Sequence, residues 1–509
     1  MTSFSGEKLK QKAEKAIQNV ELNRDVFEQC DEYINPFRNT FDRIDGVYNR
    51  SARMYDSTAM IASNNFVNTM TSNFTPAFSR WAELKAGPAI GQDEEKKLNQ
   101  DLEAINNTVF AYINASNFAT ASAEMYYELS KSTGVLLVLE GDDINPLNFV
   151  SAPLSQMGLI EGKEGKIDFI VRKYRTRAGL VKEIWKRAEI PEASGLADMV
   201  KNEPDTEVDL RECFYYDYQE FIWRYEVLYD CDVIYKSQSK YCPAVVVRWF
   251  KIPGIVTGVG PMMMALSDIK TLNKMKQLSL QMAALNVFGM YTITDDGVLN
   301  PNAIRLKPGA FIPVKRNGGA EGRTIEALPT AGNFQLQEFM QNDLKDQIKQ
   351  VSLDNRLPPE NAAVRSAFEI AERIKELQTD IGAAFGRLIY EFVIPLYQRV
   401  LEILNKKGVF SLPEGFEIDS LFVKVQVVSP IASQQNMDDV NRFIQAMEMV
   451  KSISPELAMV SFDLSKAPQW ISDKLGAPAS LLNDEVSKEQ LMQTVAQVVT
   501  AMQQGQANV

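Results

Sequence analysis

The chain contains no histidine among its 509 residues. A Ser-His-Asp triad, a Cys-His pair, a histidine-based zinc site and imidazole acid/base chemistry are therefore all excluded. Carboxylates are abundant, but no spacing selects a set that would converge on a divalent metal, so a carboxylate-only hydrolase or nuclease is an alternative without a motif. We predict no catalytic residue, no metal site and no cofactor.

Cysteine and long apolar runs are also scarce. The four cysteines are scattered and form no CxxC pair, which predicts a reducing interior rather than a disulfide framework. The longest apolar runs, such as residues 134–139, are far shorter than the roughly 20 residues of a membrane-spanning helix. The first residues lack the apolar segment of a signal peptide, so we expect neither export nor a membrane partner.

Phosphate-binding loops are missing as well. The segment "GGAEGRT", residues 318–324, has the wrong glycine spacing and carries Arg323 where a P-loop has lysine. The glycines of residues 254–261 do not fit GxGxxG and indicate a hinge before a helix. The net charge of −12, from 54 basic and 66 acidic residues, predicts that the chain mostly repels nucleic acid.

The patterns that are present predict a helix-rich α+β fold. Residues 6–34 have the spacing of one amphipathic helix, with Leu9, Ala13, Ile17, Val20 and Leu22 near one face. From about residue 134, short β-branched and aromatic runs alternate with Gly, Pro and Asp, which predicts antiparallel strands with one helix near residues 177–188. The aromatic runs have the alternation of sheet core rather than of a nucleic-acid stacking platform.

A long helix is predicted for residues 260–290. Its first half carries Asp268, Lys270, Lys274 and Lys276, whereas no residue from Gln277 to Thr294 is charged. A helix that is apolar nearly all round must be covered on all sides, either in a large core or between subunits. The methionines at 262–264 are predicted to serve packing in the same way.

A turn-rich segment with short strands follows at residues 291–329. Within residues 305–323 there are five basic residues and a single acidic one, Glu321. The basic residues form either a partner-binding patch or scattered charges on a solvated hairpin. These basic residues are Arg305, Lys307, Lys315, Arg316 and Arg323.

A proline-bearing loop then separates two helices. Pro358 and Pro359 cannot lie inside a helix, and Ser366 with Glu369 has the spacing of a capping box. The helix that begins there is unusually long, and Pro395 should kink it. Strands are predicted at residues 416–430, and the remainder is predicted to be helical with a frayed end.

This order of elements resembles the portal, or head-to-tail connecting, proteins of short-tailed bacteriophages. Four stretches carry the resemblance in family order. They are "MYDSTAMIASNNFVNTMTSNFTPAFSRWAELKAG", "LIEGKEGKIDFIVRKYRTRAGLVKEIW", "GVGPMMMALSDIKTLNKM" and "SAFEIAERIKELQTDIGAAFGRLIYEFVIPLYQRVLEIL".

The resemblance implies a ring, as a rule of twelve copies, around an axial DNA channel at one vertex of the virion capsid. It also implies a division of the chain into five kinds of region. These are wing (1–257 and 367–430), stem helices (258–290 and 331–352), clip (291–330), tunnel loop (353–366) and helical crown (431–509). The implied partners are the chain itself, the large subunit of the terminase motor, tail adaptor and tail tube proteins, major capsid and scaffolding proteins, and double-stranded DNA bound without sequence preference.

Site residues follow from this division. The uncharged stem half would lie between neighbouring copies, through Leu278, Leu280, Met282, Leu285 and Val287. The basic patch would meet the motor during filling and the tail adaptor afterwards. The tunnel loop would present Asn355, Arg356, Asn361 and Arg365 to the channel.

Two alternatives stay open at this stage. Arg356 and Arg365 form a positive collar around DNA, or they pair with Asp354 or Glu360 in an ordinary connection between helices. A soluble non-viral helical scaffold without catalytic activity would explain the absent chemistry equally well. Such a scaffold should sediment as a monomer or dimer, whereas a portal should sediment as a large ring.

Overall fold

The structure is a computed structural model of the chain. It describes residues 4–36, 54–87, 89–90, 92–192, 194–288, 291–294, 311–314, 325–327, 334–353, 382, 384–410, 423–428, 430–453, 467 and 470–471.

Helices dominate both ends of the described chain. In chain order they are α1 (Gly6–Glu21), α2 (Arg24–Ile34), α3 (Thr58–Asn73), α4 (Gln92–Ala115), α5 (Phe118–Lys131), α6 (Val181–Ile184), α7 (Gly195–Asn202), α8 (Pro261–Met264), α9 (Leu266–Phe288), α10 (Phe334–Val351), α11 (Ile394–Lys406) and α12 (Pro430–Ile453).

Fifteen strands lie within the described residues. They are β1 (Ala82–Ala86), β2 (Thr133–Glu140), β3 (Leu147–Ala152), β4 (Met157–Glu161), β5 (Ile167–Arg177), β6 (Glu207–Asp217), β7 (Ile222–Tyr229), β8 (Asp232–Ser239), β9 (Ala244–Arg248), β10 (Phe250–Lys251), β11 (Gly258–Val259), β12 (Tyr291–Thr294), β13 (Phe311–Val314), β14 (Ile325–Ala327) and β15 (Val423–Val427).

Antiparallel pairing was predicted, and it is confirmed in nearly every ladder of the described sheets. The largest sheet is a five-stranded meander in the order β4-β5-β6-β7-β8. A second sheet has the order β3-β2-β9, and β1 pairs with β15. The exception is the small sheet β13-β12-β14, in which β12 and β13 run parallel.

Helix α1 packs against one face of the meander. Leu9, Ala13 and Ile17 are buried there against aromatic and β-branched side chains of β5 and β6. The approach is close enough that a Cβ at Gly158 would lie 2.6 Å from the backbone nitrogen of Ile17. Glycine at this position therefore sets how near the helix lies to β4.

The largest core joins segments from distant parts of the sequence. It holds the inner face of α3, much of α4 and α5, strand β2, and the helix that ends at Lys406. Trp81 lies at its centre, stacked on Phe118 and in an edge contact with Phe110. This core packs residues that precede α9 against residues that follow α10.

Two sequence predictions need correction. Residues 6–34 form two helices that break at Leu22 and Asn23, and Leu22 is exposed rather than on the apolar face. The break occurs because α1 packs on the meander while α2 packs on α3 and α8. The helix predicted near 177–188 is only a 3-10 turn followed by α6, and it ends where the buried indole of Trp185 donates to the Tyr225 hydroxyl at 2.8 Å.

The predicted interruption at Pro395 takes a specific form. A π-helical turn, Ile389–Val393, comes directly before α11. Pro395 lies in the first turn of α11. Proline has no amide hydrogen to donate, so an ordinary helical hydrogen bond cannot form there. The carboxylate of Glu391 projects from this wide turn into the wing.

Candidate functional site

The candidate site is the hairpin formed by α9 and α10, the two helices that the sequence analysis predicted to form the stem. Near its base, Ile269 and Leu272 of α9 are buried together with Ile348 of α10. Ala59 and Ala62 of α3 complete this cluster and tie the hairpin to the wing.

Polar side chains hold the middle of the hairpin. The amide of Gln341 donates to the Ser279 hydroxyl at 2.7 Å, and this hydroxyl donates to the carbonyl of Met275 at 2.9 Å. The Gln337 amide lies 3.5 Å from the sulfur of Met282. These contacts fix the register of the two helices without using charged groups.

The first half of α9 is anchored to the N-terminal region. The buried Asn273 accepts backbone hydrogen bonds from Tyr55 at 2.7 Å and Asp56 at 3.2 Å. Gln277 donates to the Tyr55 hydroxyl at 3.2 Å, and Lys270 donates to Gln29. The anchored part therefore ends where the charge-free part begins.

Beyond Gln277, large apolar side chains are exposed in the single chain. Leu280 is 51% exposed and Val287 is 82% exposed on α9, while Phe339 of α10 is 72% exposed. Leu278, Leu336 and Met340 are exposed as well. The hairpin thus presents an apolar surface that its own chain does not cover, although single exposed apolar residues are common on proteins.

The structure places the predicted stem residues as follows. Leu278, Leu280 and Val287 are exposed, and Met282 is half-buried beside Gln337. The side chain of Leu285 lies outside the described residues. The interface assignment itself stays a prediction.

The other predicted site residues lie outside the described part of the chain. This applies to the tunnel loop residues Asn355, Arg356, Asn361 and Arg365. It applies equally to the clip residues Arg305, Lys307, Lys315, Arg316 and Arg323. The clip segment nevertheless contains the three-stranded sheet β13-β12-β14, as its turn-rich sequence predicted.

The hinge before α8 requires a glycine. The amide of Gly260 donates to the carbonyl of Lys131 at 2.9 Å, and a Cβ at this position would lie 2.4 Å from the carbonyl carbon of Lys131. Pro261 then begins α8, where its missing amide hydrogen costs nothing. Met262 is fully buried and Met264 is exposed, so the methionine triplet contributes to the core as predicted.

An ion network around the buried guanidinium of Arg248, which no sequence pattern predicted, joins β9 to the π-helical turn before α11. The guanidinium of Arg248 donates to Glu391 at 2.6 Å and to Glu161 at 2.5 Å, and Lys251 lies 2.6 Å from the same Glu161 oxygen. A second buried pair joins Lys131 to Asp31 at 2.6 Å. Fixed charges in buried, fully paired positions indicate structural roles.

Potential metal ligands and nucleophiles are present among the residues that the structure describes. These residues contain no group of three or more Cys, Asp or Glu side chains placed to hold a metal ion. Burial raises the pKa of the Cys30 thiol to about 12, and it raises the pKa of Cys242 to about 12. Both thiols are therefore protonated near neutral pH and are poor nucleophiles. No helix in the described part of the chain is long and apolar enough to cross a membrane.

Comparisons with known proteins point to one family. Two solved structures, titled the virion of a native gene transfer agent particle and the neck of an empty particle of this kind, each contain a chain with 12% identity and a TM-score of 0.35. In both cases the alignment covers 83% of this chain and 90% of that chain. A search of curated proteins found no significant match. The model of the family described as bacteriophage head to tail connecting protein matches residues 7–482, nearly the whole sequence, and the chain therefore belongs to the bacteriophage head-to-tail connecting proteins.

Proposed function

We propose that this chain is a portal subunit. Copies of it form a ring at one vertex of the capsid, and double-stranded DNA passes through the axial channel during packaging and ejection. The observation that carries the proposal is the apolar surface of the stem hairpin beyond Gln277, in a chain whose family connects head to tail.

A ring explains why that surface is tolerated. Burying apolar surface contributes about 25 cal/mol per Å², so taking a fully exposed leucine or phenylalanine side chain to full burial contributes roughly 1.5–3 kcal/mol, and covering the half-exposed Leu280 contributes about half as much. Leu280, Val287 and Phe339 would each be covered by a neighbouring copy. Because no residue from Gln277 to Thr294 is charged, covering this part of α9 removes no α9 ion from water.

The acidic balance of the chain suits a conduit. A wall that binds phosphates strongly would release counterions and hold the DNA, whereas a wall of net charge −12 per copy lets it slide. Within this wall, Arg356 and Arg365, flanked by Asn355 and Asn361, would form a narrow positive collar that touches the phosphates.

The clip is proposed as the docking site outside the capsid. Its basic residues, which include Arg305 and Arg316, would bind the large terminase subunit during filling and the tail adaptor afterwards. The wing would contact the major capsid and scaffolding proteins, and the crown would point into the head. These assignments complete a role that is structural and requires no cofactor.

Assembly tests the proposal directly. We expect the purified chain to form annular particles in negative stain and to sediment as a large ring. Leu280→Glu should shift the protein to small species, because a carboxylate cannot be buried unpaired in the stem. Ile144→Glu is the matched control, since Ile144 is an exposed wing residue far from the stem in sequence, and it should assemble normally.

Two results would refute the ring. One is a wild-type chain that stays monomeric or dimeric at every concentration, as a soluble scaffold would. The other is unimpaired assembly of Leu280→Glu. The collar is tested separately by packaging and DNA retention in Arg356→Ala and Arg365→Ala virions, and wild-type behaviour of both would end that part of the proposal.

A further inference from the structure

Helix α3 is unusual because it carries no charge. No residue between Asp56 and Arg80 is charged, although charged residues make up 24% of the chain. Among the described helices of eight or more residues, α3 alone lacks Asp, Glu, Lys and Arg. Solvated helix faces normally carry charges, whereas the centres of protein interfaces are depleted of them.

The helix has two distinct faces. Its inner face, with Phe66 and Met70, is buried in the wing core. Its outer face is a stripe of Ile61, Asn64, Asn68 and Ser72 at helical spacing, and all four side chains are exposed. Ile61, at 50% exposure, is the apolar end of this stripe.

Three polar side chains near the end of α3 donate hydrogen bonds to backbone carbonyls of the same helix. Thr71 donates its hydroxyl hydrogen to the carbonyl of Val67 at 2.9 Å, and Ser72 donates to the carbonyl of Asn68 at 2.7 Å. The side-chain amide of Asn73 donates to Thr69 at 3.1 Å. A donor that keeps its hydrogen bond on burial loses little, so a partner could cover these three side chains at low cost.

An exposed aromatic residue lies just beyond the helix. Phe78 is 83% exposed and has a φ of 60°, which is a strained backbone conformation for a bulky residue. The loop is tied down on both sides, since Thr75 hydrogen-bonds the buried Tyr126 hydroxyl at 2.9 Å and Ser79 donates to the carbonyl of Pro76 at 3.3 Å. Strain and tethering together present an aromatic anchor of the kind that dominates binding energy at interfaces.

The charge-free segments of α3 and α9 start at the same place. Tyr55, two residues before the start of the α3 segment, accepts a hydrogen bond from Gln277, the first residue of the α9 segment. Each copy has a net charge of −12, so copies repel one another at a distance, and a contact surface without charges adds no like-charge repulsion when two copies meet. A nucleic acid or a strongly basic partner would instead be met by charged side chains.

We infer that the outer face of α3 and Phe78 form a wing interface that is covered by the adjacent copy in the ring. The inference rests on the proposed portal function and adds a second contact to the stem. Because a ring interface is heterologous, α3 of one copy meets a different surface of the next.

Paired charge substitutions test the inference. Asn64→Asp combined with Asn68→Asp adds two negative charges to the outer face at almost unchanged size. The matched control, Gln100→Glu with Asn107→Asp, adds the same two charges to exposed positions of α4. We expect the α3 variant to need at least about tenfold more protein for half-maximal ring formation, since burying unpaired carboxylates costs more than one factor of ten. The control should assemble at the wild-type concentration.

Phe78→Gly tests the inference with a substitution that should not destabilise the folded chain, so weaker ring formation could not be caused by a folding defect. Glycine adopts a φ of 60° without strain, so the unassembled chain should melt at the same or a higher temperature. Ring formation should nevertheless weaken by about tenfold, because the anchor is lost.

The outcomes separate the two proposals. Wild-type rings together with normal assembly of both the α3 double variant and Phe78→Gly would overturn the wing interface and leave the portal function standing. A wild-type chain that forms no ring would overturn the portal function itself. Normal rings from the α3 variants that fail only in contact with another virion protein would also overturn the inference, because the face would then belong to that protein.

Discussion

Replacing Arg248 by methionine should destabilise the wing by about 3 kcal/mol. The Arg248 guanidinium is buried, and it donates to Glu391 at 2.6 and 3.2 Å, to Glu161 at 2.5 Å and to the carbonyl of Gly165 at 3.1 Å. Removing one partner of a buried ion pair costs about 3–5 kcal/mol, mainly because the other charge is left uncompensated.

The remaining partners place the cost at the lower end of that range. Glu391 keeps Arg387 at 3.2 Å and the backbone amide of Arg248 at 3.0 Å, while Glu161 keeps Lys251 at 2.6 Å. Neither carboxylate is therefore fully orphaned. The methionine side chain is about as long as the arginine side chain up to its Nε atom, so it fills much of the space that this part of the arginine occupied.

Urea unfolding followed by tryptophan fluorescence measures this cost, and the neighbouring Trp249 is buried against Phe66. Measurements should use a fixed protein concentration, because assembly adds to apparent stability. Amide hydrogen exchange should also become faster in the π-helical turn, Ile389–Val393, because the hydrogen bond from Arg248 to Glu391 holds this turn against β9. Arg177→Met is the control, since its pair with Asp205 is exposed and should matter by no more than about 0.5 kcal/mol.

A double-mutant cycle sharpens the prediction. Adding Glu391→Gln to Arg248→Met removes the carboxylate that lost its main partner, so the double variant should lose at least about 1 kcal/mol less stability than the sum of the two single losses. Strict additivity, or a loss below about 1 kcal/mol for Arg248→Met alone, would refute the view that this network holds the helix to the wing.

Two further substitutions test buried polar groups. Asn106→Leu should lower the free energy of unfolding in urea by about 3 kcal/mol, because the Asn106 side-chain oxygen accepts hydrogen bonds from the Leu84 amide at 2.8 Å and the Tyr397 hydroxyl at 2.7 Å. Tyr397→Phe removes only one of these bonds and should lower it by only about 1 kcal/mol. Equal losses for the two variants would contradict this ranking. Burial raises the pKa of Glu226 above its ordinary 4.5, so the folded chain binds that proton more tightly and loses stability as pH rises from 4.5 through the raised value. Glu226→Gln should remove this loss, and unfolding midpoints that change with pH in parallel for both proteins would disprove it.

Local patterns predicted the elements well because period and turn chemistry act over a few residues. The turn-rich segment after α9 correctly indicated short strands. The charge-free half of α9 exposes apolar side chains in the single chain, and its coverage by neighbouring copies stays a prediction. The single helix predicted over residues 6–34 was wrong, because the break at Asn23 is set by which neighbours α1 and α2 pack against. Tertiary packing of that kind has no local signal.

Long-range pairing explains what the sequence could not show at the site. Arg248, Glu161 and Glu391 are each ordinary charged residues in the sequence, and only the fold brings them together. The absence of charged residues from α3 is visible in the sequence, but the spacing of its apolar residues does not show which side of the helix is buried. The strain at Phe78 depends on its φ angle, which no composition reveals.

Strand β1 hydrogen-bonds β15, so that Ala86 lies opposite Val423. At roughly 5–20 residues per second, the ribosome finishes the second strand on the order of half a minute after the first. During that interval the edge of β1 is without its native neighbour, and unpaired edges invite aggregation. The nascent chain should therefore need protection from aggregation until β15 emerges, and a chain truncated just before Val423 should be prone to precipitate.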